Sequence, residues 1–170
     1  MMVISVVNGD ITRQKVDAVV NAASPQMRGG GGVDGAIHRA AGPELLRECI
    51  ERFPHGLATG EAGWTQAYRL DARYIIHTPG PNYGAGQTDP QLLRSSYGNS
   101  LKVADDLGVK SIAFPLISAG IYRWPLEDAM RIAVDVLTHA DTRVEDMRIV
   151  VLSDDYASRL RLLISQASQS

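Results

Sequence analysis

The chain predicts an α/β fold, a mixed β-sheet covered on both faces by helices. Short β-branched runs alternate with stretches of helical period, and glycine or proline marks most of the junctions between them. One stretch, residues 61–78, carries two strand-like runs with no helix between them, which makes the sheet mixed rather than purely parallel. At 170 residues the chain predicts a single domain spanning 1–170.

In order, Val3 to Val7 and Val16 to Val20 read as two short buried strands. Val33 to Ala41 reads as a helix opening straight after a run of glycines, and Pro43 to Arg52 as a second, with Pro43 in its first turn. Glu61 to Ala67 and Arg73 to Thr78 are the two adjacent strands. Pro90 to Leu107 is a long helix with apolar positions near helical spacing, stopped by Gly108. Ser111 to Ile117 is a strand, Pro125 to Thr138 a helix, Met147 to Leu152 a strand and Tyr156 to Ser165 a final helix.

Composition narrows the function. Lys and Arg number 17 against 19 Asp and Glu, a net charge of −2, which argues against a protein held to nucleic acid mainly by bulk charge. No apolar run approaches the ~18 residues of a membrane-spanning helix. Met1 to Asp10 lacks a basic region followed by an apolar core, so a cytoplasmic location is expected. The single cysteine, Cys49, sits in an apolar-periodic stretch and reads as an inert buried thiol. His38, His55, His77 and His139 form no metal-ligand spacing, so no protein-held metal is expected.

Three loops carry unusual residues at strand ends, where α/β folds bind ligands. The first runs Gly29-Gly30-Gly31-Gly32-Val33-Asp34-Gly35 and continues to Gly42. Glycines there let the backbone approach a ligand, and the free N–H groups of the helix start can hold an anion. A flexible linker is the competing reading, but a linker has no reason to open directly into a helix. Gly30, Gly32 and Gly35 also match the dinucleotide pattern G-x-G-x-x-G, in the wrong context: the glycines follow the second strand, and helix-like sequence stands where the acidic strand end should be. No Gly-Lys-Ser or Gly-Lys-Thr follows, so a phosphate-loop nucleotidase fails too.

Asp34 and His38, four residues apart, share a helix face. Asp34 could orient a water or could simply be an N-terminal helix charge, and His38 reads as structural support. The second loop, Phe114 to Pro125, offers small residues at Ser118, Ala119 and Gly120 and so a second set of backbone donors. Two such loops suit an elongated ligand with a diphosphate between them. Tyr122 and Trp124 read either as platforms for its sugar or base, or as packing. The third loop, Asn8 to Thr12, holds Asp10, an acceptor for an exocyclic amine or a turn residue bonding its own backbone.

Together these segments resemble the macrodomain family, and within it the MacroD-type branch of ADP-ribosyl hydrolases. The resemblance rests on Gly9-Asp10-Ile11-Thr12, Asp17 to Ala23, Gly29 to Gly42, Ile76-His77-Thr78 with Gly80-Pro81, and Phe114 to Tyr122. It implies a three-layer α/β/α sandwich around a six-stranded mixed sheet, with a cleft for ADP-ribose. Asp10 would bind the adenine amine, and Ile11 would add a backbone contact. Gly31, Gly32 and Val33 would hold one side of the diphosphate, and Ser118, Ala119, Gly120, Ile121 and Tyr122 the other. Asn21 and Asp34 would face the distal ribose, with Asp34 the principal catalytic residue and Ser24 beside them.

The activity so implied is hydrolysis of mono-ADP-ribose esters on acidic protein side chains, of O-acetyl-ADP-ribose, or of both, with no metal or cofactor. The expected partners are ADP-ribose and mono-ADP-ribosylated proteins, with ADP-ribosylated nucleic acid a further substrate to test and no membrane. A monomer is expected, since no large exposed apolar helix face is evident.

The chain departs from the family pattern at three places. Ser24 stands where the family usually has a second asparagine, which motivates the alternative of a non-catalytic ADP-ribose reader. Ala119 replaces a common threonine, and Arg123 follows Tyr122 where glycine is frequent. Leu152 and Tyr156 occupy the region where an aromatic platform for adenine is common. Other branches fit less well. The zinc ligands of one are absent, Val33-Asp34-Gly35 replaces the adjacent glutamates of another, and Lys15, Lys102 and Lys110 lie outside the binding segments where a third needs its lysine nucleophile.

Overall fold

The computed structural model describes residues 2–168, so both ends of the expected 1–170 domain lie outside the described residues. Six strands form one sheet: β1 (Val3–Asn8), β2 (Ala18–Ala22), β3 (Gly63–Gln66), β4 (Tyr74–Thr78), β5 (Ser111–Phe114) and β6 (Asp146–Val151). Among the described residues five α-helices accompany them: α1 (Gly32–Ala41), α2 (Glu44–Arg52), α3 (Pro90–Leu107), α4 (Leu126–Thr138) and α5 (Asp154–Ala167). The strand order is β1-β6-β5-β2-β4-β3. All neighbours are parallel except β3 and β4, the pair with no helix between them.

The strand period of two divides the core into two layers. Ala18, Val20, Ile76, Met147 and Ile149 face α3, α4 and α5, where Tyr97, Met130 and Leu160 are buried. Val19, Ile75 and Val150 face α1 and α2, where Ile37, Leu45 and Cys49 are buried. The result is a three-layer α/β/α sandwich around a six-stranded mixed sheet. Cys49 is fully buried among these apolar side chains, and burial pushes its thiol up to about 11, so it is unreactive at neutral pH.

Most boundaries lie within two residues of those expected from the sequence. The strand read as Ser111 to Ile117 is shorter, ending at Phe114. Pro115 has no N–H to continue the ladder, and the chain turns there into a loop. The strand read as Val16 to Val20 shifts forward, because the Val16 N–H donates to the Asp71 carbonyl outside the sheet while Asn21 and Ala22 pair with His77 and Thr78. The last helix starts earlier than Tyr156, because the Ser153 hydroxyl accepts from the Tyr156 N–H and caps it.

Candidate active site

A cleft of about 620 Å³ crosses the carboxyl ends of the parallel strands. Asp10, Ile11, Ser24, Gly31, Gly32, Val33 and Asp34 line one side. Ser118, Ala119, Gly120, Ile121 and Tyr122 line the other. Leu152 and Tyr156, which the sequence marks only weakly, close the end beside Asp10. Three sites thus far apart in sequence meet because their strands are parallel and their loops leave on one side.

The glycine loop is shaped by close approach. Gly29 and Gly32 hold φ of 87° and 59°, a region that side chains disfavour. A Cβ on Gly35 would lie 2.5 Å from the Gly30 carbonyl oxygen, so only glycine lets α1 pack this tightly on the loop. Arg28 fixes the far side, donating to the carbonyls of Met27, Cys49 and Phe53. The helix α1 has Gly31 as its N-cap and no side-chain cap, so the N–H groups of its first turn point to the cleft without a side-chain acceptor. Opposite, Ser118 holds φ of 67°, and the N–H groups of Gly120, Ile121 and Tyr122 donate to no protein group among the described residues.

Asp34 is 4% exposed and stands in the first turn of α1. Its Oδ1 accepts from Asn21 Nδ2 at 2.9 Å and lies 3.5 Å from His38 Nε2. Its Oδ2 faces Gly30, whose absent Cβ would approach to 3.2 Å, and accepts from no protein group among the described residues. Burial first, and then the Asp34 carboxylate, push the Tyr122 hydroxyl above the ordinary tyrosine range, which ties the two walls of the cleft together electrostatically.

One expectation needs correction. Asn21 does not face the cleft: it is fully buried behind Asp34, because its strand position turns it toward α1, on the same face as Val19. For Trp124 the structure shows the packing alternative: the residue is 2% exposed, its Nε1 donates to Asp128 Oδ2 at 2.8 Å, and its ring meets Tyr83 edge-on. His38 lies outside the cleft wall, packed under Gly29 and beside Asp34, as a supporting residue would be. Arg123 and the lysines at 15, 102 and 110 also lie outside the wall. Ser24 is in the wall, with its hydroxyl donating to the Gly29 carbonyl at 3.3 Å.

The Asp10 end differs in kind. Its carboxylate is half exposed and accepts from the Thr12 hydroxyl at 2.7 Å and the Thr12 N–H at 2.9 Å. Those two bonds hold Asp10 below the ordinary carboxylate range, with Arg13 adding a smaller effect.

One pairing escaped the sequence reading. His77 is fully buried on β4, with Nδ1 3.1 Å from Asn21 Nδ2 and Nε2 2.9 Å from the Thr65 hydroxyl. The available signal was a polar residue within an otherwise apolar strand, Tyr-Ile-Ile-His-Thr, matched by Asn21 in Ala-Val-Val-Asn-Ala.

Residues 20–133 match the family model described as Macro domain. A Macro domain-containing protein of Streptomyces coelicolor is 50% identical over 92% of this chain and 98% of its own length. A protein of Citrobacter rodentium named O-acetyl-ADP-ribose deacetylase is 47% identical, covering 98% of each chain. Among solved structures, a mutant macrodomain of Oceanobacillus iheyensis with ADPR superposes with a TM-score of 0.92 at 36% identity, over 97% of this chain and 93% of that one.

Proposed function

The chain belongs to the Macro domain family, and from that premise we propose that it binds ADP-ribose and hydrolyses esters of its distal ribose. The substrates are O-acetyl-ADP-ribose and proteins mono-ADP-ribosylated on acidic side chains, as in the MacroD-type branch. The observation that carries this reading is the Asp34 carboxylate, buried at one end of the cleft with Oδ2 left open beside the uncapped start of α1. The relative named O-acetyl-ADP-ribose deacetylase and the superposable macrodomain with ADPR support it.

In this reading the adenine amine donates to Asp10 and the diphosphate accepts from the N–H groups at the start of α1 and at Gly120 to Tyr122. The two loops grip the diphosphate from opposite sides, which sets the ester against Asp34. Asp34 Oδ2 and a diphosphate oxygen then orient a water; as the water oxygen bonds to the ester carbonyl carbon, Asp34 takes a proton from it and passes that proton to the ribose oxygen as the ester bond breaks. The products are ADP-ribose and a carboxylate, acetate or a protein side chain. The protein acts as a cytoplasmic monomer.

The test compares wild type with Asp34→Ala for release of ADP-ribose from a protein modified on Glu or Asp and for deacetylation of O-acetyl-ADP-ribose. The wild type should turn over and the variant should bind ADP-ribose without turnover. Equal turnover by both overturns the role of Asp34. A second reading, a binder without turnover, is favoured by Ser24, whose hydroxyl is engaged by Gly29. Binding without release by the wild type, with release gained by Ser24→Asn, would establish it.

A further inference from the structure

We propose that His77 is a positioning residue for Asp34: acting through Asn21, it fixes which carboxylate oxygen is tied to the protein and which is left open to the cleft. The kinetic part rests on the hydrolase reading above; the structural part does not.

The Thr65 hydroxyl has one proton, and it lies 3.0 Å from the Gln66 carbonyl, to which it donates. Thr65 Oγ1 therefore accepts from His77 Nε2, 2.9 Å away, and the imidazole carries its proton on Nε2. His77 Nδ1 is then a bare lone pair, and it faces Asn21 at 3.1 Å. Only the amide NH₂ of Asn21 can answer both that lone pair and the Asp34 carboxylate oxygen at 2.9 Å, one N–H for each. The reverse orientation would set Asn21 Oδ1 against Asp34 Oδ1, two acceptors with no proton between them. The structure shows the cost of the choice, since Asn21 Oδ1 is buried and accepts nothing among the described residues.

Sheet geometry builds this chain of bonds. Asn21 and His77 are directly paired on β2 and β4. Thr65 pairs with Ile75 on the antiparallel edge, so it reaches His77 diagonally. Gly63, opposite His77, has no side chain, and the Phe53 ring fills that space; a Cβ on Gly63 would lie 2.6 Å from it. Phe53 then covers the imidazole edge-on, with centroids 6.3 Å apart. So enclosed, His77 is held neutral: burial first, with the nearby His38 adding to it, lowers it to about 3. A charged imidazole would have no lone pair for Asn21, so the same burial that keeps His77 neutral keeps the amide in place. Of the groups facing this site, Asp34 and His38 lie on α1, Thr65 on β3 and Phe53 at the end of α2.

The test uses the whole protein and pairs two substitutions at one position. His77→Gln keeps a donor toward Thr65 but withdraws the acceptor from Asn21, whereas His77→Asn keeps an acceptor close to the Nδ1 position. Nitrogen-15 spectra of the imidazole should show His77 protonated on Nε2 and bare at Nδ1, unchanged between pH 7 and about pH 5. Thr65→Val should move that pattern and shift the Asn21 side-chain NH₂ signals, and Thr65→Ser should restore both. For hydrolysis, His77→Gln should lower kcat about 10- to 100-fold while leaving ADP-ribose affinity within about 3-fold, with His77→Asn recovering most of the loss.

An Nδ1-protonated His77 in the wild type overturns the proposal. So does a folded His77→Gln variant with wild-type kcat, or a Thr65→Val variant whose Asn21 signals do not move. If His77→Gln fails to fold, the Thr65 pair carries the kinetic comparison. If the wild type proves to have no turnover, the hydrolase reading fails, and the tautomer and the Asn21 signals still decide the positioning claim.

Discussion

At the Asp34 end of the cleft, each polar group that matters is buried and belongs to a different element: Asp34 to α1, Asn21 to β2, Thr65 to β3 and His77 to β4. At the Asp10 end, the carboxylate is half exposed and bonds only within its own turn, to Thr12 and weakly to Arg13. Beside it in the cleft wall stands Leu152, 86% exposed. The first arrangement is over-determined and cannot adjust cheaply; the second is local and can. Buried polar networks fix geometry because leaving any member unpaired is costly, whereas exposed groups exchange partners with water at little loss. Under the hydrolase reading proposed above, the Asp34 end sets rate and the Asp10 end contributes affinity.

The sharpest way to break that division is at Asp34. Asp34→Ala should lower turnover about 10²- to 10⁴-fold, the range for removing a group that moves a proton, with ADP-ribose affinity by calorimetry little changed. A proportional loss of affinity would mean that the two ends do not divide the work.

The next largest effect is on stability and concerns acid. His77 is lowered by burial to about 3, while in the unfolded chain it titrates near 6.5. Between those values the unfolded chain binds a proton that the folded chain does not. Stability is therefore full above pH 6.5 and falls as pH drops toward 3, by at most about 1.4 kcal/mol per pH unit for this one group. Urea unfolding at pH 7, 6 and 5 should show this increment in the wild type and its absence in His77→Gln. The opposite end should add nothing over the same range. Asp10 is lowered from 3.8 and begins to lose its contribution only as pH falls below about 4.

The smallest effect should come from Asp10 itself. Asp10→Ala should weaken ADP-ribose binding about 10-fold, the low end for a hydrogen bond to a charged group because the site is half open to water, and should leave kcat at saturation unchanged. A fall in kcat of the same size would show that the Asp10 end also orients the ester.

Much of this was legible in the chain itself. The glycines from Gly29 to Gly32 running into a helix, Asp34 in its first turn, and the small residues from Ser118 to Gly120 after a strand all mark the cleft. So does the antiparallel pair, announced by two strand runs with no helix between them. These are local properties. Backbone freedom, helix period and capping depend on residues within a turn or two of each other, so the order of residues is enough to reveal them.

Lateral neighbours are a different matter. That Asn21 stands behind Asp34 rather than in the cleft, that His77 reaches it from β4, and that Trp124 is buried against Tyr83 depend on the strand order and on which helix covers which face. Thr65, His77 and Asn21 are separated in sequence by 12 and 56 positions, and nothing local in any of the three runs binds one to the others. Their meeting is decided by the packing of two apolar layers against a single sheet, which minimises exposed apolar surface over the whole domain and carries the polar side chains along with it. Local residue order is enough for the elements and the cleft loops, whereas the buried groups that hold the Asp34 carboxylate in place come together only through packing across the sheet.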